Sequence, residues 1–169
     1  ITGDSQLLVQ GTAGTTEEQI RYSWNYAMLL AEGPSPRALV PSPVYRGLAD
    51  GKIVRFEEIT RCPSEVQDAL ITLLSEKVLT VPELGIHIQA QRGFSMIGTA
   101  NTRDRGVNEM SAALKRRFNF VTVPVVEDLE QEIRIVRKRE LELRTDYEVG
   151  LEPPAELAKL LVTLFQELR

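Results

Sequence analysis

Two short apolar runs separated by a helical stripe constrain this chain more than any other feature. Ile53–Phe56 is a β-branched and aromatic run that leads into Glu57 and Glu58, after which Val66, Ala69, Leu70, Leu73 and Leu74 recur at helical spacing. Two strand-like pieces flank Pro82–Gly85, as in a hairpin. "FSMIGTAN" (94–101) follows, a near-continuous apolar run ending in polar residues, the pattern of a strand buried on both faces. A short helix is expected in "SAALKRRF" (111–118) and a further strand in "NFVTVPVV" (119–126), while "GDSQLLVQG" (3–11) gives an early strand signal. Strands alternating with helices predict an α/β layered fold with a parallel sheet.

The flanking segments are read the same way. "TTEEQIRYSWNYAMLLAEG" (15–33) has Thr15 and Glu18 at capping-box spacing and Ile20, Trp24, Ala27, Met28 and Ala31 roughly along one face, predicting a single helix that closes at Gly33. "PSPRALVPSPVYRGLADG" (34–51) contains four prolines and reads mainly as connection, with a short helix after Pro43. Leu157, Leu160, Leu161, Leu164, Phe165 and Leu168 mark a last helix that stops without a Gly or Asn cap. With a strand entered directly at the start and an uncapped helix at the end, the chain is expected to be a fragment of a longer protein.

Composition removes several classes. With 43% apolar residues in 169, the chain can bury one sizeable core, and a net charge of −4 gives no basic surplus for nucleic acid or an anionic membrane. One cysteine, Cys62, and one histidine, His87, exclude a disulfide framework and a His/Cys zinc site. No apolar run approaches a membrane span and no signal-peptide pattern opens the chain, so a cytoplasmic location is expected. Cys62 reads as a small residue at a helix start, His87 as a surface strand residue, Trp24 and Tyr26 as core packing, and Arg61, Arg103 and Arg105 as solvated loop arginines.

In open parallel sheets the ligand lies beyond the carboxyl ends of the strands. Two strand candidates end there in groups suited to phosphate chemistry: Glu57 and Glu58 on one, Thr99 and Asn101 on the other. Neighbouring side chains in a strand point to opposite faces, so the two glutamates divide the work. One carboxylate can hold hydrated Mg²⁺ while the other polarises a water for in-line attack on a terminal phosphoryl group. Asn101, both donor and acceptor, suits positioning that water. Arg116 and Arg117 follow on the next short helix, and arginine suits stabilising charge on a transferring phosphoryl.

The order "GLADGKIVRFEEITRCPSEVQDALITLLSE", hairpin, "FSMIGTANTRDRGVNEMSAALKRRFNF" resembles the AAA+ ATPases of the MoxR group, over about Leu7 to Leu143. The resemblance implies that Glu57 takes the metal-holding Walker B place, Glu58 that of the catalytic base, Asn101 that of sensor 1 and Arg117 that of the arginine finger, with Arg116 as fallback. It implies ATP and Mg²⁺ as cofactors, residues 1–126 as the C-terminal part of the nucleotide-binding core, and 127–169 as the beginning of a helical lid. Glu17–Ala31 lies where the family has its second core helix and associated insert. Chaperone-like remodelling of a client protein by a homo-oligomeric, hexameric ring is the implied role, often beside a partner with a von Willebrand factor A domain. Two other classes stay open: a non-catalytic AAA+ scaffold or switch, and a DNA-translocating motor, for which the hairpin is poor in cations.

The chain departs from the family in three respects. Glu57 stands where the family carries Asp, Arg55 interrupts the apolar strand, and no G-x-x-x-x-G-K-[ST] occurs; the glycine-rich "GTAGTT" (11–16) has no lysine to reach phosphates. The 169-residue chain alone is therefore expected to bind ATP weakly, and a nanomolar dissociation constant by calorimetry would overturn that expectation.

Overall fold

A computed structural model describes residues 7–101 and 110–168 of the chain. They divide into two compact units, residues 1–119 and 120–169. The first is built on a parallel sheet of β1 (Leu8–Gln10), β4 (Ile53–Glu57) and β7 (Ser95–Gly98), in the order β1-β4-β7. The register aligns Val9, Phe56 and Gly98 in one row and Leu8, Arg55 and Ile97 in the next. Side chains alternate across a strand, so these rows face opposite sides. Val9, Val54, Phe56 and Met96 point into the core, and Ile53, Arg55 and Ile97 point outward. Arg55 thus interrupts the apolar run without a buried charge: it lies on the exposed face.

The buried face is covered by α3 (Pro43–Asp50) and α4 (Ser64–Glu76), which contribute Val44 and Leu48, and Val66, Leu70 and Leu73. The boundaries of α3 are written in its sequence. Ser42 caps its start, accepting the Tyr45 N–H at 3.0 Å, Pro43 occupies the first turn, and Gly51 ends it at φ +66°. A Cβ at Gly51 would lie 2.4 Å from the Arg92 carbonyl oxygen, so glycine is needed there for space as well as conformation. A hairpin of β5 (Val78–Val81) and β6 (Ile86–Gln89) returns the chain from α4 towards β7, and α5 (Ala112–Lys115) packs back on α4 through the buried Leu114.

Several expectations change on the structure. The helix expected over 15–33 is α1 (Glu17–Ile20), a strand β2 (Tyr22–Trp24) and α2 (Tyr26–Glu32). β2 pairs antiparallel with β3 (Leu39–Pro41), inside the segment read as connection, with Trp24 opposite Leu39. The physical reason is local and tertiary together. Thr16, not Thr15, starts α1, its N–H donating to Gln19 Oε1 at 3.1 Å. Arg21 then reaches out of the helix to the Thr80 carbonyl oxygen at 2.9 Å, the Tyr22 hydroxyl donates to Glu83 at 2.8 Å, and Asn25 starts a new helix by capping Met28. Trp24 is partly buried against the core, whereas Tyr26 is exposed.

"FSMIGTAN" forms a strand, but only one face is buried: Met96 is inside while Ile97 is half exposed, on the same outward face as Ile53 and Arg55 of β4. "NFVTVPVV" forms no regular element and lies outside any described sheet, with Phe120, Val121, Val123 and Val125 exposed; a strand needs a ladder partner, and none is present among the described residues.

The second unit is α6 (Leu129–Asp146), capped by Asp128, and α7 (Ala155–Glu167). They are joined by a Gln166–Glu132 hydrogen bond at 2.7 Å, and Val162 is buried between them. The apolar stripe expected on α7 is present, but Leu157, Leu160, Leu164 and Phe165 are exposed. No helix among the described residues is long and apolar enough to cross a membrane.

Ser42 gives the sharpest test of this packing, because its hydroxyl accepts the cap bond and also donates to the buried Ile20 carbonyl oxygen at 2.6 Å. Ser42→Ala removes both, and is expected to lower stability by about 1–3 kcal/mol in urea unfolding. A loss within error of zero would mean that water replaces the hydroxyl.

Candidate functional site

The parallel register of β4 and β7 brings their carboxyl ends to one edge. Beyond the strands the chains stay joined: the Thr99 N–H donates to the Phe56 carbonyl oxygen at 2.9 Å, and the Ile59 N–H to that of Thr99 at 3.0 Å. Glu57, Glu58, Thr99 and Asn101 are therefore gathered at this edge, as the sequence pattern anticipates. Glu57 closes β4 with its carboxylate in an ion pair to Arg55 Nε at 2.9 Å. Glu58 turns out of the strand at φ +54°, and its carboxylate accepts from Arg61 Nη1 at 2.8 Å. Arg61 is thus an exposed arginine bound to its neighbour three residues back, on the short 3-10 turn Ile59–Arg61. Both pairs are substantially exposed, so each contributes less than about 1 kcal/mol and yields readily to a better partner.

A third strand reaches the same edge. The Gly11 N–H, directly after β1, donates to the Glu57 carbonyl oxygen at 2.7 Å, and a Cβ there would lie 2.4 Å from the Glu58 carbonyl oxygen. The turn that follows is braced by threonines: the Thr12 N–H donates to Thr15 Oγ1 at 2.8 Å, and the Gly14 N–H to Thr12 Oγ1 at 3.2 Å. The glycine-rich stretch, judged in the sequence by its missing lysine, here serves as a close backbone approach to the two glutamates. Gly11 was not singled out by sequence reasoning, which read Thr15 only as a helix cap; the signal was a glycine ending a strand.

The arginines are placed differently. Arg117 donates from Nε to Ser75 Oγ at 3.0 Å and from Nη1 to the Ala113 carbonyl oxygen at 2.7 Å. Ser75 lies at the far end of α4, eleven residues beyond Ser64, so about 16 Å of helix separates it from the Glu58 end. Arg116 is exposed at the end of α5. Neither is brought to the Glu57–Glu58 edge. Arg103 and Arg105 lie outside the described residues.

Cys62 is fully buried between the 3-10 turn and α4, and burial pushes its thiol pKa up. It is a packing residue. His87 sits on exposed β6 with Nδ1 3.0 Å from Thr80 Oγ1.

The donor chemistry suits a hard cation. Glu57 offers carboxylate oxygens at a strand end. Among the described residues there is no group of three or more His, Cys, Asp or Glu that could hold a metal by itself, so a cation there would draw the rest of its shell from water or ligand oxygens. That is the coordination habit of Mg²⁺.

The model of the AAA domain of the dynein-related subfamily matches residues 1–118. The chain belongs to this AAA family. It is 54% identical over its whole length to the uncharacterized protein YehL of Escherichia coli K12, of which it spans 48%. It is similar in fold to the crystal structure of a "putative ATPase" from Cytophaga hutchinsonii, at 19% identity, a TM-score of 0.59, and 79% of this chain against 37% of that one. The complex of magnesium chelatase subunits BchI and BchD gives 17% identity and a TM-score of 0.52, covering 89% of this chain and 42% of that one. The parallel sheet with its helices is a partial AAA+ core, followed by a helical region.

Two predictions follow from this geometry. Gly11→Ala is expected to destabilise the chain by about 1–3 kcal/mol, because the clash is with backbone and a strand must shift; an unchanged midpoint in urea would refute the close approach. Cys62 is expected to resist a thiol reagent at pH 8 until the chain is unfolded, the raised pKa leaving little thiolate; rapid stoichiometric labelling of the native chain would contradict its burial.

Proposed function

We propose that the intact protein is a ring-forming AAA+ ATPase of the MoxR type, using ATP and Mg²⁺ to remodel a client protein. The observation that carries this reading is the shared carboxyl edge of β4 and β7, where Glu57 and Glu58 at the end of one strand lie beside Thr99 and Asn101 after the next. In this reading Glu57 holds Mg²⁺ through water, exchanging its pair with Arg55. Glu58 leaves Arg61 and accepts the proton of the attacking water, while Asn101 orients that water against the terminal phosphate. Mg²⁺, when bound, supplies charge neutralisation along the phosphates. The phosphate-binding loop belongs to the longer protein, with residues 1–126 as the later part of the core and 127–169 as the start of its lid.

The position of Arg117 supports assembly. An arginine held on Ser75 at the far end of α4 cannot serve the Glu58 of its own chain without rebuilding the helix packing. The same placement suits a residue presented to a neighbouring subunit, so Arg117, with Arg116 beside it, is assigned to the next active site around a ring, hexameric by family resemblance. The β2-α2-β3 excursion between α1 and α3 supports the MoxR-type assignment, since it falls where that group carries an insert in its second core helix. A partner with a von Willebrand factor A domain completes the proposal. The second reading, an AAA+ scaffold that binds nucleotide without turnover, is favoured by Glu57 standing in place of Asp.

The full-length protein decides between them. Glu58→Gln is expected to lower ATP turnover about 10²-fold or more while ATP still binds, the loss typical of removing a general base. Absence of turnover in both proteins leaves the scaffold reading. Mixing Glu58→Gln with Arg117→Ala subunits is expected to restore up to about a quarter of wild-type turnover, since a random ring pairs an intact base with a neighbour's intact arginine at that fraction of interfaces. No recovery on mixing would mean that Arg117 does not act across subunits.

A further inference from the structure

Glu58 is a non-glycine residue with φ +54° and ψ +45°, a left-handed conformation that is unfavourable for a side chain and persists only where its surroundings impose it. The surroundings here come from the neighbouring strand. The Glu58 N–H, turned out of the β4 ladder, donates to Thr99 Oγ1 at 3.1 Å. The bonds on either side, Thr99 N–H to Phe56 and Ile59 N–H to Thr99, use backbone alone and any non-proline residue at 99 would keep them. Only the hydroxyl bond depends on which residue stands at position 99, and it goes to the amide of the strained residue.

We propose that Thr99 is a positioning residue for Glu58: its hydroxyl fixes the left-handed turn and so the direction in which the carboxylate leaves the sheet. The proposal rests on the reading of Glu58 as the catalytic base. Without the hydroxyl, the Glu58 amide loses its partner and the residue is free to relax towards a right-handed or extended conformation, which swings its side chain off the edge it shares with Asn101. Thr99 also lies two residues before Asn101, so one side chain ties the turn carrying the base to the strand end carrying the water-orienting residue. Arg61 acts at the other end of the side chain, on the carboxylate, and its exposed ion pair with Glu58 does not set the backbone.

The test uses two substitutions that separate the hydroxyl from the rest of the side chain. Thr99→Val keeps the branched shape and removes only the hydroxyl, and Thr99→Ser keeps the hydroxyl. In the full-length protein Thr99→Val is expected to lower kcat about tenfold or more with KM for ATP nearly unchanged, the signature of an interaction that matters in the transition state. Thr99→Ser is expected to stay within about threefold of wild type in kcat. Amide hydrogen exchange gives a readout independent of turnover: the Glu58 amide is expected to exchange about tenfold faster in Thr99→Val than in Thr99→Ser. If Thr99→Val does not fold, Thr99→Ala against Thr99→Ser makes the same comparison. Equal loss in the hydroxyl-free and serine variants, or wild-type kcat without the hydroxyl while Glu58→Gln is inactive, overturns the positioning role alone. Full turnover by Glu58→Gln overturns the reading of Glu58 as base, and the proposal with it.

Discussion

Everything at the candidate site hangs from the backbone ladder between β4 and β7. Parallel pairing of Phe56 with Gly98 sets the height at which both strands leave the sheet, and the bonds through Thr99 carry that alignment past the last paired residues. A slip of one residue would send Val54 and Phe56 to the outer face and Arg55 into the core, exchanging a fully buried apolar row for a buried charge. The register that places Glu57 and Glu58 opposite Thr99 is thus the register that the core enforces. Packing and site geometry are one constraint here.

That coupling explains which parts of the molecule were legible in the sequence. β4, α4 and the β5–β6 hairpin each bury a periodic stripe under local signals that agree with it, so propensity, pattern and turn chemistry point the same way. The segment 15–33 is different. Its residues have respectable helical spacing, yet Arg21 and Tyr22 gain hydrogen bonds to Thr80 and Glu83, about sixty positions away in the chain, by leaving the helix. A window of helical length cannot contain that information. The exposure of Ile97 is likewise unreadable from "FSMIGTAN", because the run's composition records what the strand tolerates on both faces, while burial depends on what covers each face.

At the site the legible part was the residue types and their order. The paired glutamates and Asn101 were visible as strand-end groups, while Arg116 and Arg117, visible at a helix end, do not reach this edge. The left-handed turn at Glu58 was hidden, since glutamate gives no warning of a positive φ, and so was the hydroxyl that holds it. Gly11 was visible as a glycine, but its role follows only from the distance to the Glu57 and Glu58 carbonyls. These are relations between segments far apart in the chain, and physical chemistry assigns them only once the register is known.

The charge arrangement at this edge has its own logic. Two carboxylates meeting at one strand end in water would repel, and each is offset by an arginine of the same segment: Arg55 two residues before Glu57, and Arg61 three residues after Glu58. Exposed pairs of this kind cost little to break, so they neutralise the edge without locking it. The stronger restraints are all on the backbone: Gly11 onto Glu57, and Thr99 onto Phe56, Glu58 and Ile59. Such a division suits a site whose side chains exchange partners when a charged ligand arrives while the main chain holds still. Rigid backbone with weakly committed carboxylates pre-organises position without fixing charge, the combination that the proposed cation and polyphosphate would need.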